Sequence, residues 1–85
     1  MKDLEVLTSA LSTEGFQLIE SEVGAMDSGT AEFSNGKRMI HLIKDKSQWM
    51  LKGPRQTLEP LGLFRTFDDP LEFRDAIVSY VKRQN

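Results

Sequence analysis

The chain has 85 residues, of which 39% are hydrophobic and 28% are charged, and its net charge is −2. This length and composition are typical of one small globular domain, and they exclude a disordered chain or two separate cores. The sequence contains no cysteine, which excludes disulfides, thiolate metal ligands and a cysteine nucleophile and favours a cytoplasmic location.

The first predicted element is an amphipathic helix over residues 3–14. Its apolar side chains recur at spacings of three and four, namely Leu4, Leu7, Ala10 and Leu11. Gly15 follows, and we expect it to take the left-handed conformation that ends a helix, with Leu11 and Phe16 in contact. The segment is acidic and has no long apolar run, so we expect neither a signal peptide nor membrane association.

A first strand is predicted over residues 16–23. Its alternation of apolar and polar side chains breaks near Leu18 and Ile19, which indicates a β-bulge at that point. Residues 24–28 are small or polar and predict a turn.

Residues 29–52 predict three further antiparallel strands. The pair Asn35 and Gly36 favours a two-residue type I′ turn, which would place Phe33 opposite Arg38. Thr30 would then lie opposite His41. Directly opposed residues share a face of a sheet. A second reversal near residues 45–46 would place His41 opposite Met50 and Leu42 opposite Trp49. One face, here called the core face, then carries Ala31, Phe33, Ile40, Leu42, Trp49 and Leu51.

The other side of the same strands, here called the second face, mixes apolar and polar residues. It carries Thr30, Glu32, Met39, His41, Ile43, Gln48, Met50 and Lys52. This composition is too apolar for a solvated surface and too polar for a core. Three interpretations stay open: residues 53–67 fold over this face, it binds a partner or a second copy, or its apolar residues occur there by chance.

Residues 54–67 have no clear period, although they are rich in leucine and phenylalanine. We expect an irregular crossover that packs on the body, with a short strand over residues 63–67. A helix then begins at Asp69, where an acceptor at the cap, Pro70 at the first helical position and Glu72 form the signature of a capping box. Its apolar stripe consists of Phe73, Ala76, Ile77, Tyr80 and Val81.

These elements predict a single α+β domain over residues 1–85. The expected architecture is a two-layer sandwich, in which a four-stranded antiparallel meander in the order 1-2-3-4 carries the N-terminal and C-terminal helices on its core face.

No residue pattern in the chain indicates catalysis. His41 is the only histidine, and a metal site would need further ligands that the sequence lacks. Thr30, its predicted neighbour, is better explained as a packed strand residue than as a nucleophile. The glycines do not form a phosphate-binding loop. We therefore predict no catalytic residue, metal, cofactor or small-molecule ligand, and a protein that is not an enzyme.

Charge is unevenly distributed along the chain. Residues 1–35 carry one lysine against seven acidic residues, whereas residues 36–56 carry six basic residues against one acid. A nucleic-acid-binding domain that uses the basic region 37–55 is therefore the alternative function. It is less favoured because Phe33 and Trp49 are assigned to the core instead of to base stacking, and because the last helix opens with two aspartates.

The favoured function is a small protein-interaction module, such as an inhibitor, an immunity-type protein or an adaptor. Its partner would be another protein or a second copy in a homodimer. The predicted contact residues on the second face are Met39, His41, Ile43 and Met50, with Glu32, Lys37 and Lys52 as a polar rim.

Overall fold

A computed structural model describes residues 1–83, so the last two residues of the predicted domain lie outside the described part of the chain. The elements in order are helix α1 (Leu4–Thr13), strands β1 (Gln17–Val23), β2 (Gly29–Ser34), β3 (Met39–Asp45) and β4 (Gln48–Leu51), and helices α2 (Arg55–Leu58) and α3 (Pro70–Arg83). The strands form one antiparallel sheet in the order β1-β2-β3-β4. This confirms the predicted α+β architecture with a helix at each end of the chain.

Helix α1 ends in the predicted glycine motif. Gly15 has a φ of 87°, and its backbone N–H donates to the carbonyl oxygen of Ser12 at 3.0 Å. The N–H of Phe16 donates to the carbonyl oxygen of Leu11 at 2.9 Å, which completes the hydrogen-bond pattern of a Schellman motif. Both Leu11 and Phe16 are fully buried, so the helix end is also an anchor in the core.

Strand β1 pairs with β2, and the predicted bulge is confirmed between Leu18 and Glu20. The connection between these strands is tight, since the N–H of Gly24 donates to the carbonyl oxygen of Ser28 at 2.8 Å. Gly29 begins β2 at a close approach of the two backbones. A Cβ at this position would lie 2.2 Å from the carbonyl oxygen of Glu22, so the strand pairing requires glycine here.

The connection between β2 and β3 is a four-residue loop over residues 35–38, and the predicted two-residue turn at Asn35 and Gly36 is wrong. The side chain of Asn35 accepts hydrogen bonds from the backbone N–H of Lys37 at 2.9 Å and of Arg38 at 2.7 Å. An asparagine side chain that binds backbone groups two and three residues ahead stabilises a wider turn.

Each of the two hairpins is displaced by two residues from its predicted pairing. Phe33 lies opposite Ile40, and Met50 lies opposite Ile43 instead of His41. A shift of two residues leaves each side chain on its original side of the sheet, because side chains alternate with a period of two. The predicted core face is therefore confirmed. All six of its residues are buried, namely Ala31, Phe33, Ile40, Leu42, Trp49 and Leu51.

The two long helices cover the core face. Leu7 and Leu11 from α1, and Phe73, Ile77 and Val81 from α3, are buried in one cluster with the six strand residues. Trp49 stacks on Phe73 with a ring separation of 5.8 Å.

The amino terminus of α3 is capped by Asp69, whose side chain accepts a hydrogen bond from the N–H of Leu71 at 2.9 Å. This confirms the predicted cap. The predicted return contact from Glu72 is wrong, because Glu72 instead pairs with the guanidinium of Arg65. A charged guanidinium is a stronger hydrogen-bond donor to a carboxylate than a neutral backbone N–H is.

The segment 54–67 packs on the core side of the sheet. It contains α2 and a 3₁₀ turn over Glu59–Leu61, and its side chains Leu58, Leu63 and Phe67 are buried in the same core cluster. The short strand expected over residues 63–67 is reduced to one bridge, in which Phe67 and Trp49 exchange two backbone hydrogen bonds of 2.7 and 2.8 Å. This bridge closes part of the outer edge of β4.

Candidate interaction surface

The second face is left uncovered by the rest of the described chain. Leu58, Leu63 and Phe67 of residues 54–67 are instead buried in the core cluster, and Phe64 is 47% exposed. On the second face Met39 is 51% exposed, and Ile43 and Met50 are partly exposed. Of the three interpretations of this face, the one in which residues 53–67 fold over it is therefore wrong.

The strand registers arrange the second face in rows that run across the sheet. Glu20 lies opposite Glu32, Glu32 lies opposite His41, and the N–H of Lys52 donates to the carbonyl oxygen of His41 at 3.0 Å. The neighbouring row consists of Glu22, Thr30, Ile43 and Met50. The half of the face formed by β1 and β2 is consequently acidic, whereas the half formed by β3 and β4 is apolar with a basic border.

His41 is held by a carboxylate in the middle of this surface. Its Nδ1 lies 3.0 Å from Oε1 of Glu32. The hydroxyl-bearing Thr30, which was predicted to lie opposite His41, lies opposite Ile43 in the next row. The His41–Glu32 contact orients the ring, but the pairing brings no serine or threonine directly opposite it.

A shallow depression of about 290 Å³ lies on the acidic half of the second face. Its lining includes Glu20, Glu22, Glu32, His41 and Lys52. The sequence pattern showed that Glu20 and Glu22 share a face of β1. It did not show that this face is the second face, because the bulge at Leu18 and Glu20 changes the phase of the strand.

Six of the seven predicted contact residues lie together on the second face. These are Glu32, Met39, His41, Ile43, Met50 and Lys52. Lys37 is exposed in the loop over residues 35–38, outside the paired part of the sheet.

Lys44 is the residue of the basic region that lies in the interior of the fold. Its side chain is 2% exposed, and its Nζ donates to Oδ2 of Asp27 at 2.7 Å and to the carbonyl oxygen of Lys2 at 2.9 Å. The ammonium also lies 5.4 Å from the centre of the Trp49 ring. The signal was present in the sequence, since the alternation that assigns Ile40 and Leu42 to the core face assigns Lys44 to it as well.

Asp27 is the carboxylate that pairs with this buried ammonium. The hydrogen bond from Lys44 holds the pKa of the Asp27 carboxyl below its ordinary value of 3.8, with a further contribution from the backbone N–H of Lys2. That N–H donates to Oδ1 of Asp27 at 2.6 Å. Lys44 and Asp27 therefore form an ion pair within the fold, and the ammonium of Lys44 points into the molecule instead of towards solvent.

Two more residues of the basic region have partners within the chain. The guanidinium of Arg38 lies 5.7 Å from the centre of the Tyr80 ring. Nε of Arg55 lies 2.7 Å from the carboxylate of Glu59. The positive charge of residues 37–55 is thus divided among several surfaces and the interior.

Three comparisons, with protein families, with curated proteins and with solved structures, found no match to this chain. Within residues 1–83 no three histidine, aspartate or glutamate side chains are grouped so that they could hold a metal ion. Among the helices that are described, none combines the length and the apolar character that a membrane crossing requires.

Proposed function

We propose that the protein is a non-enzymatic interaction module of the cytoplasm, which binds another protein or a second copy of itself through the second face. The observation that carries this proposal is the uncovered position of Met39, Ile43 and Met50. The segment that was long enough to cover them packs on the opposite side of the sheet. Apolar side chains that stay accessible on an otherwise well-packed domain are typical of contact surfaces.

The composition of the second face fits a protein partner. Interfaces commonly combine an apolar and methionine-containing centre with a charged border. Here Ile43 and Met50 lie side by side on neighbouring strands, and the charged residues Glu32 and Lys52 lie one row away. Such a surface would bury the apolar centre and leave the charged border in contact with water.

The surroundings of His41 support a role in binding over one in catalysis. Glu32 orients the ring through Nδ1, but Thr30 lies opposite Ile43, so the pairing leaves no hydroxyl nucleophile directly across from the imidazole. The alternative of nucleic-acid binding is weakened because Lys44, Arg38 and Arg55 are engaged within the chain. A phosphate backbone requires several free cations on one surface.

Light scattering coupled to size-exclusion chromatography tests the proposal, together with a photo-crosslinking amino acid placed at position 39. The matched control places the crosslinker at Leu71 of α3, which is 49% exposed against 51% for Met39. We expect crosslinks from position 39, either to a second copy or to one other polypeptide, and none of that product from position 71. Labelled RNA and DNA at low salt test the alternative.

The variant Ile43→Ser/Met50→Ser should retain the circular dichroism spectrum of the wild type and lose the dimer or the crosslinked partner. Leu71→Ser should lose neither. Absence of both a dimer and a crosslink from position 39 would contradict the proposal. Loss of folding in the double variant would contradict it too, because the face would then be internal.

A further inference from the structure

We propose that the free edge of β1 accepts an extended segment of another protein as a fifth strand, and that this segment carries lysine or arginine at alternate positions. The proposal rests on the proposed function and deepens it, since it names the chemistry of the partner and the place where its chain would lie. The acidic half of the second face would then border the added strand.

The edge of β1 is available for pairing. Within residues 1–83 this strand pairs with β2 alone, and six of its seven residues are exposed. The opposite edge of the sheet is different, because Phe67 forms a bridge to Trp49 there. An exposed strand edge presents a row of backbone donors and acceptors that another extended chain can bind.

Apolar side chains accompany this edge. Ile19 is 54% exposed, Val23 is 65% exposed, and Met26 in the following turn is 74% exposed. They are three of the six large hydrophobic side chains that are exposed in the described chain. A strand added along β1 would cover part of this apolar area in addition to forming backbone hydrogen bonds.

The charge of the edge specifies the partner. Glu20 and Glu22 lie on the second face, opposite Glu32 and Thr30 of the neighbouring strand. Neither Glu20 nor Glu22 takes part in an ion pair within residues 1–83. Side chains on the adjacent strand that point to the same face would lie directly beside these two carboxylates. Since side chains alternate along a strand, cations at every second position match them.

A second copy of the chain fits this edge poorly. If two β1 strands paired antiparallel about Ser21, Glu20 of each copy would lie opposite Glu22 of the other. Like charges that are directly opposed across two strands destabilise the pairing. The bulge between Leu18 and Glu20 also interrupts the regular edge, as bulges commonly do at exposed strands. We therefore expect the regular stretch of four residues, 20–23, to pair with a basic strand from another protein.

Fluorescence anisotropy with a labelled nonapeptide of alternating lysine and valine tests the proposal. Two further peptides serve as comparisons: one has glutamate in place of lysine, and one keeps the lysines but is N-methylated at alternate backbone positions. The variant Glu20→Lys/Glu22→Lys reverses the charge of the edge. Its matched control is Glu5→Lys/Glu14→Lys, which makes the same change of charge at the two ends of α1 in the other layer.

We expect the lysine peptide to bind the wild type and the α1 control equally, and to bind the edge variant about tenfold more weakly or worse. The glutamate peptide should prefer the edge variant. The N-methylated peptide should bind at least about tenfold more weakly, because it retains the charge but cannot form the ladder. Amide chemical shifts should change first in residues 17–23 when the lysine peptide is added.

Equal binding of the N-methylated peptide would overturn the proposal, as would equal losses in the two charge variants or no binding at all. Intermolecular NOEs between the β1 strands of two copies would also overturn it, because the occupant of the edge would then be a second copy. If these tests fail while Ile43→Ser/Met50→Ser still abolishes the crosslink from position 39, the edge proposal is wrong and the proposed function stands. Failure of both sets of measurements rejects both.

Discussion

Lys44 and Asp27 differ in how each would respond to the loss of the other. The ammonium of Lys44 is almost fully enclosed, whereas the side chain of Asp27 is 39% exposed. A buried charge that loses its hydrogen-bonded carboxylate cannot recover its hydration, but a carboxylate at the surface can; the other carboxylate near Lys44, Oδ2 of Asp3, lies 3.8 Å from Nζ. The cost of separating this pair is therefore concentrated on the lysine.

The variant Asp27→Asn should lower the free energy of unfolding more than Lys44→Met does. Residue 27 has a φ of 60°, a conformation that asparagine tolerates. The main change is therefore the loss of charge beside Lys44. Methionine fills a similar volume without a buried charge and should leave the stability within about 1 kcal/mol of the wild type. Urea unfolding at neutral pH measures both values. The reverse order would show that the contacts of Lys44 stabilise the fold by more than its desolvation costs.

The same pair predicts a dependence of stability on acid. The pKa of Asp27 is lower in the folded chain than its ordinary value of 3.8. Its contribution to stability is therefore fully present above that value, and it is lost as the pH falls through the folded pKa. The unfolding free energy of the wild type should fall more steeply between about pH 5 and pH 2 than that of Asp27→Asn or Lys44→Met. Parallel curves for the three proteins would contradict this assignment.

At the scale of the elements, the side of the sheet was predictable from the sequence and the strand register was not. Phe33, Ile40 and Leu42 were correctly placed on the core face because alternation is a local property of each strand. The pairing of Phe33 with Ile40 depends on the length of the loop between β2 and β3, which the side chain of Asn35 influences through two hydrogen bonds. An asparagine followed by glycine is compatible with both loop lengths.

Helix α3 shows the same division between local and tertiary information. Its cap at Asp69 was predictable because the acceptor and the donor lie two residues apart. The partner of Glu72 was not, because Arg65 is brought to it by the path of residues 59–69. Contacts between residues that only the tertiary fold brings together leave no local pattern in the sequence.

The variant Asp69→Ala should destabilise the protein by about 1 kcal/mol, which is the usual effect of removing a helix cap. Asp68→Ala is the matched control, since Asp68 accepts a hydrogen bond only from the exposed side chain of Gln48, and it should cost about half of that or less. Thermal unfolding of the two variants in parallel provides the measurement. Equal losses would show that the cap bond adds nothing beyond the surface contact.

For the whole molecule, the decisive feature is the side of the sheet on which residues 54–67 pack. The sequence indicated that Leu58, Leu63 and Phe67 must be buried, but both faces of the meander offered apolar partners. The bridge between Phe67 and Trp49 directs the segment around the β4 edge and onto the core side. The candidate surface was therefore identified from the sequence by composition, while its exposure depended on this tertiary path.

Because the single core lies on one side of the sheet, adjacent residues of β3 should differ in how well they tolerate substitution by alanine. Leu42 is fully buried, and Leu42→Ala should cost about 2–5 kcal/mol. Ile43 points to the second face, and Ile43→Ala should cost about 1 kcal/mol or less, in line with a partly exposed site. Chemical denaturation compares the two. Similar losses would indicate that the second face is packed in solution.

The enclosure of Lys44 also makes it an internal reporter of unfolding. Of the six lysines in the chain, it is the one that is buried, and its amine holds together the chain start, the turn before β2 and strand β3. An amine-reactive reagent should label the other five lysines quickly and reach Lys44 only when these three segments separate. At reagent concentrations where labelling outpaces reclosing, the slow phase of labelling, followed by peptide mass spectrometry, would then measure the opening rate of the native protein without any denaturant.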